Sequence, residues 1–359
     1  MRCDSVNLIH HRSLTRCAAA LGLFLLAISA GAQAQIDVPK KSPAKRAARG
    51  AAISPRVTLT PRFVPGKTFR YEMEFETTSE TTRSGIATDP QGPSSLVVDW
   101  NATVRMEILA AGADTPGGIR LRTTYEKSAA TVRSDSFDPA ASETTDQYRK
   151  LEGKVIEFTL DANGRVKSVA GLEGIVDSEK AAQSAREWIS QLSASAGAPP
   201  GGVSVGQKWS SEQSADSLPL AGLVWHTDSE YLRNESCHAE NPDVPASRPP
   251  ANSAANSQSA RNCAVILANT NLVRPKALRD STPEELLRNG VQSAGKWNGS
   301  GQSLQYVSLD SGMVVSVTQA GTQQMDVTLT SARNTSMHYA GTITTRSQVA
   351  LVVDDALIK

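Results

Sequence analysis

The sequence predicts a mainly β fold (β-rich α+β): long antiparallel strands in two similar curved sheets or half-barrels, with one amphipathic helix and one short helix. Three observations lead there. Apolar and polar residues alternate over several long segments, Gly, Asn, Asp and Pro punctuate them, and a three- to four-residue apolar spacing fills only one long stretch. With 39% hydrophobic and 20% charged residues, a chain of 359 residues can bury a large core in one domain or two.

Residues 1–34 read as a secretory signal peptide. An apolar run over 18–30 follows Arg12 and Arg16 and ends in Ala30-Gly31-Ala32-Gln33-Ala34. This order of charge, apolar stretch and small residues places cleavage between Ala34 and Gln35, with Ala32 as the alternative site. The run is short for a membrane span, and no other stretch approaches about 18 apolar residues. No transmembrane segment is expected in the mature chain, and the expected location is periplasmic or secreted.

Charge is unevenly placed. Residues 1–34 carry a net +2 and residues 35–56 a net +5, which leaves −6 on the rest of a chain whose total is +1. The leader at 35–56 lacks a periodic apolar face and is expected to be disordered. Its basic residues at 40–56 suit either peripheral contact with an anionic envelope surface or a solvated spacer. An acidic body with 5% aromatic residues does not fit a nucleic-acid binder.

The first β-rich half is expected over 57–197. In residues 69–77, Phe69, Tyr71, Met73 and Phe75 alternate with Arg70, Glu72, Glu74 and Glu76, a half-buried strand. Residues 96–108 repeat the pattern around Trp100. Ile119, Leu121 and Tyr125 follow, with Arg120 and Arg122 placed to pair across strands with Glu72, Glu74 or Glu76. Asp161-Ala-Asn-Gly164 joins strands at 155–160 and 166–169 as a hairpin. The amphipathic helix is predicted at 178–193, where Ala181, Ala185, Trp188, Ile189 and Leu192 form one stripe. The Gly/Pro-rich residues 197–202 stop it.

The second half, 203–359, repeats features of the first. Gly206-Gln-Lys-Trp209 echoes Gly66-Lys-Thr-Phe69, and the turn at Gly312 leading into Val317 echoes the turn at Gly164 leading into Val169. Strands are predicted at 223–233, 264–272, 304–309, 325–330 and 341–353. Thr282-Pro283-Glu284-Glu285 reads as the start of the short helix, with Thr282 as cap and Glu285 completing a capping box, and Gly290 as the stop.

Removal of the signal takes Cys3 and Cys17 and leaves Cys237 and Cys263, which are expected to form a disulfide in an exported chain. The intervening 238–262 is rich in Pro, Ser, Asn and Ala and is expected to be a flexible loop. A bridge at its base adds about 3 kcal/mol on the chain-entropy account. A metal or redox pair is the rival reading.

The sequence carries no phosphate-binding loop, nucleophile elbow, zinc-protease motif or calcium loop, so no cofactor is expected. His226, Asp228 and Glu230 share one face of a predicted strand, where they would serve a hydrolase or a metal; the plainer reading is a solvated polar face. Trp100 and Trp188 read as core, and Trp297, among Gly and Asn, as the most exposed candidate for a ligand contact. The expectation is a non-enzymatic exported envelope protein that binds a partner or an apolar, lipid-like ligand. The alternatives are the enzyme just described and a structural scaffold without ligand.

With Gly66-Lys-Thr-Phe69, Gly206-Gln-Lys-Trp209 and the hairpin leading into Val166-Lys-Ser-Val169, the layout resembles the uncharacterised exported β-rich proteins of Gram-negative bacteria. More loosely it is similar to the periplasmic lipoprotein-carrier type of fold. That resemblance implies a curved antiparallel sheet with helices over its concave face and an apolar cavity between them.

Overall fold

The computed structural model describes residues 56–85, 94–110, 118–135, 145, 146, 148–160, 166–171, 198, 199, 201–216, 218–237, 262–276 and 278–352. The predicted signal peptide and cleavage site, the predicted basic leader, the helix predicted at 178–193 and the loop predicted at 238–262 lie outside them, apart from Asn262.

Eleven strands form one antiparallel sheet. They are β1 (Thr68–Gly85), β2 (Ser94–Ala110), β3 (Ile119–Ser134), β4 (Val155–Leu160), β5 (Val166–Ala170), β6 (Lys208–Ser214), β7 (Val224–Ser236), β8 (Asn262–Val273), β9 (Val291–Ser308), β10 (Val314–Ser331) and β11 (Ser336–Val352). Their order is β5-β4-β3-β2-β1-β11-β10-β9-β8-β7-β6, and the sheet does not close into a barrel. The mainly β class and the long antiparallel strands are as the alternation predicts. The two strand runs are continuous with each other: β1 pairs with β11 from Arg70 opposite Val352 to Gly85 opposite Met337.

The echo between Gly66 and Gly206 has a structural counterpart. Both glycines have positive φ, 85° and 80°. Gly66 N donates to Ile108 O and Ile108 N to Lys67 O, while Gly206 N donates to Tyr231 O and Tyr231 N to Gln207 O. Each turn thus brackets the strand that follows onto the one after it, β1 onto β2 and β6 onto β7. The sequence similarity marks a shared hydrogen-bond pattern.

Residues before β1 form a strap across one end of the sheet. Val57 and Val203 exchange backbone hydrogen bonds, and Arg56 Nη2 donates to Gly202 O at 2.8 Å. Leu59 is buried in a small cluster with Val203, Tyr231, Ile266 and Val307. Arg62 N then donates to Ser311 O in the β9–β10 connection. Gly312 lies directly beneath the strap: a Cβ there would stand 2.2 Å from Thr60 O.

The short helix α1 (Glu284–Arg288) forms where predicted, but Thr282 does not cap it. Pro283 occupies the cap position, with no side-chain cap hydrogen bond. Thr282 is buried; its hydroxyl donates to Ser293 O and accepts from Ser293 N, which ties the start of α1 to β9. A buried hydroxyl with two partners inside the fold outweighs one cap bond at a solvent-facing helix end. Arg122 likewise pairs with its neighbour Glu157 on β4 at 2.7 Å, because β2 separates β3 from the glutamates of β1. Arg70 does bridge that gap, reaching Glu126 at 2.8 Å. Together with Arg105 it holds the Glu126 carboxyl below the usual carboxylate range.

Cys237 and Cys263 form a disulfide that joins the end of β7 to the start of β8. It closes a loop with 26 residues of sequence separation, as expected of a chain that folds in an oxidising compartment. Reduction is expected to remove about 3 kcal/mol of stability on the loop-closure account. Urea unfolding with and without reductant checks this, and an unchanged midpoint contradicts it.

Candidate functional site

Over the central rows of the sheet the two faces differ in charge. Along β1 the side chains at 69, 71, 73, 75 and 77 are Phe, Tyr, Met, Phe and Thr, while Arg70, Glu72, Glu74 and Glu76 point the other way. Cross-strand register carries this division along two adjacent rows. One row runs Trp209, Ser229, Ala268, Ser303, Gln319, Ser347, Phe75, Trp100, Ala130 from β6 to β3. The next runs Ser211, Thr227, Thr270, Gly301, Gly321, Thr345, Thr77, Val98 from β6 to β2. Neither row contains a charged side chain. Because strand side chains alternate, the charges beside these rows lie on the opposite face; toward the end of β1 the division lapses, where Arg83 shares the parity of Phe75 and Thr77.

The uncharged face has two textures. On β1 to β4 it is apolar: Met73, Phe75, Val98, Trp100, Val104, Leu121, Ile156 and Phe158 form one buried cluster. Trp100 is its centre at 1% exposure; its Nε1 donates to Ser128 Oγ at 3.0 Å, and its ring lies 5.4 Å from that of Tyr148. Burial pushes the Tyr125 hydroxyl up to about 12. From β7 to β11 the middle rows of the same face are mostly Ser, Thr, Gln and Gly, while Trp297, Val327, Ile343 and Val349 extend the apolar cluster beyond them. Thr227 and Thr270 share a hydrogen bond at 2.9 Å, and Trp297 Nε1 donates to Gln323 Oε1 at 3.0 Å. Trp297 is therefore buried, contrary to the expectation of an exposed ring. Its neighbours in sequence are polar, but strand parity turns it to the uncharged side. An open cleft of about 450 Å³ lies at the rim of the apolar half, lined by Ser128, Ala130, Thr145, Arg149 and Glu152 among others.

His226, Asp228 and Glu230 do share a face of β7, and it is the charged one. His226 lies between two carboxylates, Nδ1 3.4 Å from Glu212 and Nε2 3.4 Å from Asp228. Glu230 is engaged separately by Lys208 at 3.1 Å. The group is a solvent-facing polar row, and no three possible ligands converge as a metal site among the described residues. A second histidine grouping escaped sequence reasoning, since its members are far apart in the chain. His338 Nε2 is 2.8 Å from Asp326 and its Nδ1 3.5 Å from Ser84 Oγ. These three also sit on the open charged face, where the surrounding backbone N–H groups are engaged in the β1–β11 and β10–β11 ladders. An oxyanion formed there would find no preorganised donors.

No family model matches this chain. No curated protein matches it either. Among solved structures, lipovitellin, described for its lipid–protein interactions, aligns with 81% of this chain at 10% identity and a TM-score of 0.39. The alignment covers 25% of that chain, so this chain spans about a quarter of its length. DynF from the dynemicin biosynthesis pathway of Micromonospora chersina aligns over 89% of this chain and 95% of its own, at 8% identity and TM-score 0.17. An outer membrane channel from Pseudomonas putida F1 covers 82% of this chain and 98% of its own, at 6% identity and TM-score 0.18. Likenesses this distant carry no argument about function.

Among the described residues no helix is long and apolar enough to cross a membrane. The charged face of the sheet is likewise unsuited to hydrocarbon, since a lipid-facing strand surface must be apolar.

Proposed function

We propose that this chain is an exported binding protein that holds an apolar or lipid-like molecule against the uncharged face of its sheet and catalyses no bond-breaking step. The observation that carries the reading is the segregation of charge. The central rows of one face carry no charge from β6 to β2, and its β1–β4 half is lined by large apolar side chains around Trp100. Tyr148, Leu151, Leu218, Leu220 and Leu223, from outside the strands, pack into the same cluster and form a layer over this half. An apolar ligand would enter between this layer and the sheet, while the opposite face remains in water. The disulfide and the signal-like first 34 residues support a place outside the cytoplasm, with the basic residues at 40–56 available for an anionic envelope surface.

Native mass spectrometry of protein purified from its own source, followed by solvent extraction, tests the reading. A bound apolar species released on denaturation is the expected result. Repeated recovery of empty protein that also takes up nothing from lipid vesicles overturns it.

A further inference from the structure

β3 is paired along only half of its outer side. There β4 stands opposite Ile119–Thr124, and the ladder closes with Tyr125 N donating to Lys154 O and Gly153 N to Tyr125 O. Glu126 is then passed over in the β2–β3 register, a bulge that shifts the backbone parity by one. Asp135 N donates to Ser95 O, so Lys127, Ala129, Thr131 and Arg133 exchange their backbone bonds with β2. The N–H and C=O groups of Ser128, Ala130 and Val132 therefore point away from β2. Among the described residues no strand lies beside them on that side.

One of these outward groups has found a substitute. Ser128 N donates to the Glu152 carboxylate at 3.3 Å, where a neighbouring strand would present a carbonyl. Next to it lies the cleft of about 450 Å³, lined by Ser128, Ala129 and Ala130 of β3 and by Thr145, Arg149 and Glu152 from the turn before β4. Open space thus adjoins the free edge. An unpaired strand edge is a template for another chain, because its main-chain donors and acceptors are already aligned.

Strand alternation limits the guest. On one face its side chains would lie beside Ala130 and Val132, which are small and apolar. On the other they would lie beside Lys127, Thr131 and Arg133, all exposed. No residue of 127–134 is acidic, and the carboxylates nearby are engaged: Asp99 by Arg133 at 2.7 Å, Asp135 by Ser95 N, Glu152 by Ser128 N. Lys127 has no carboxylate partner among the described residues. Opposite charges across a strand pair stabilise it and like charges oppose it.

We propose that residues 127–134 of β3 and the adjoining cleft form a docking edge for an extended segment of a partner protein, in which apolar side chains alternate with acidic ones. The segment adds a strand to the sheet. Its backbone bonds Ala130 and Val132, its apolar side chains lie beside theirs, and a carboxylate meets Lys127.

The test uses the whole protein with a synthetic eight-residue peptide alternating Val and Glu, and a counterpart alternating Val and Lys. Amide hydrogen exchange read by NMR is expected to slow about tenfold at Ala130 and Val132 with the Val/Glu peptide, the worth of one added hydrogen bond at each. Thr131 and Arg133, already bonded to β2, should change little. The Val/Lys peptide should bind about tenfold more weakly. Ala130→Pro removes an outward N–H while sparing the β2 ladder and should abolish binding. If that variant does not fold, Lys127→Glu serves: it should weaken the Val/Glu peptide about fivefold and favour the Val/Lys peptide. Lys296→Glu, on β9 and distant from this edge, should leave both affinities unchanged. Equal slowing at all four amides, or binding that survives both edge substitutions, overturns the assignment. So does a wild type that binds neither peptide, whether its edge stays in water or is held by a second copy, which sedimentation of the free protein distinguishes.

Discussion

Replacing Trp100 with alanine is expected to destabilise the fold by about 4 kcal/mol, within the range for truncating a large buried aromatic side chain. The indole is the largest fully buried side chain of the apolar cluster and contacts elements on both sides. Its Nε1 holds Ser128 Oγ, which in turn donates to Tyr148 O at 2.6 Å. The ring also packs against Tyr148, whose own hydroxyl burial pushes its pKa upward. The substitution therefore opens a cavity and loosens the segment around Tyr148 from β3. Trp100→Phe should cost less, since a ring remains and Ser128 keeps its bond to Tyr148 O. Urea unfolding followed by circular dichroism measures both; equal midpoints for Trp100→Ala and wild type would contradict the assigned role.

A methyl group at position 312 should be nearly as damaging, for a different reason. Gly312 has φ of 68°, and its Cβ would meet Thr60 O at 2.2 Å and Thr60 C at 2.6 Å. Those are backbone atoms of the strap and cannot rotate away. Gly312→Ala is expected to cost about 3 kcal/mol or more, combining left-handed strain of about 1–2 kcal/mol with displacement of the strap. Gly66 is the control. It has φ of 85°, but nothing lies within 4 Å of an added Cβ, so Gly66→Ala should cost only the strain. Chemical denaturation together with limited proteolysis near Thr60 separates the cases, and equal losses at both positions would refute the strap contact.

The apolar half of the fold was legible from alternation, because its two faces differ in kind. Phe75 and Glu76, or Trp100 and Asn101, announce which side is buried. The β9–β10 region was read as short strands at 304–309 and 325–330, whereas the strands run over Val291–Ser308 and Val314–Ser331. Gly301, Ser303, Gln319 and Gln323 on the buried side are as polar as Gln302, Thr318 and Thr322 on the other. Hydrophobic periodicity carries no signal there. Trp297 was misread for the same reason, since only its parity with Gly299 and Gly301 reveals which way it faces. His226, Asp228 and Glu230 were placed on one face correctly, but sequence gave no sign that Lys208 would engage Glu230.

The pairing of β1 with β11 governs when the protein can fold. Arg70 meets Val352 at the middle of the sheet, so the earliest and latest strands close the structure together. Each meander can form its own hairpins locally, but β1 and β10 remain unprotected edges until the final strand inserts between them. Such long-range closure places the chain among slow folders of high contact order. A polypeptide delivered across a membrane from its N-terminus would hold β1 ready while nearly the whole remaining length emerged. During that interval its exposed edges are templates for wrong pairing, which makes a holding chaperone in the receiving compartment a practical requirement for high yield.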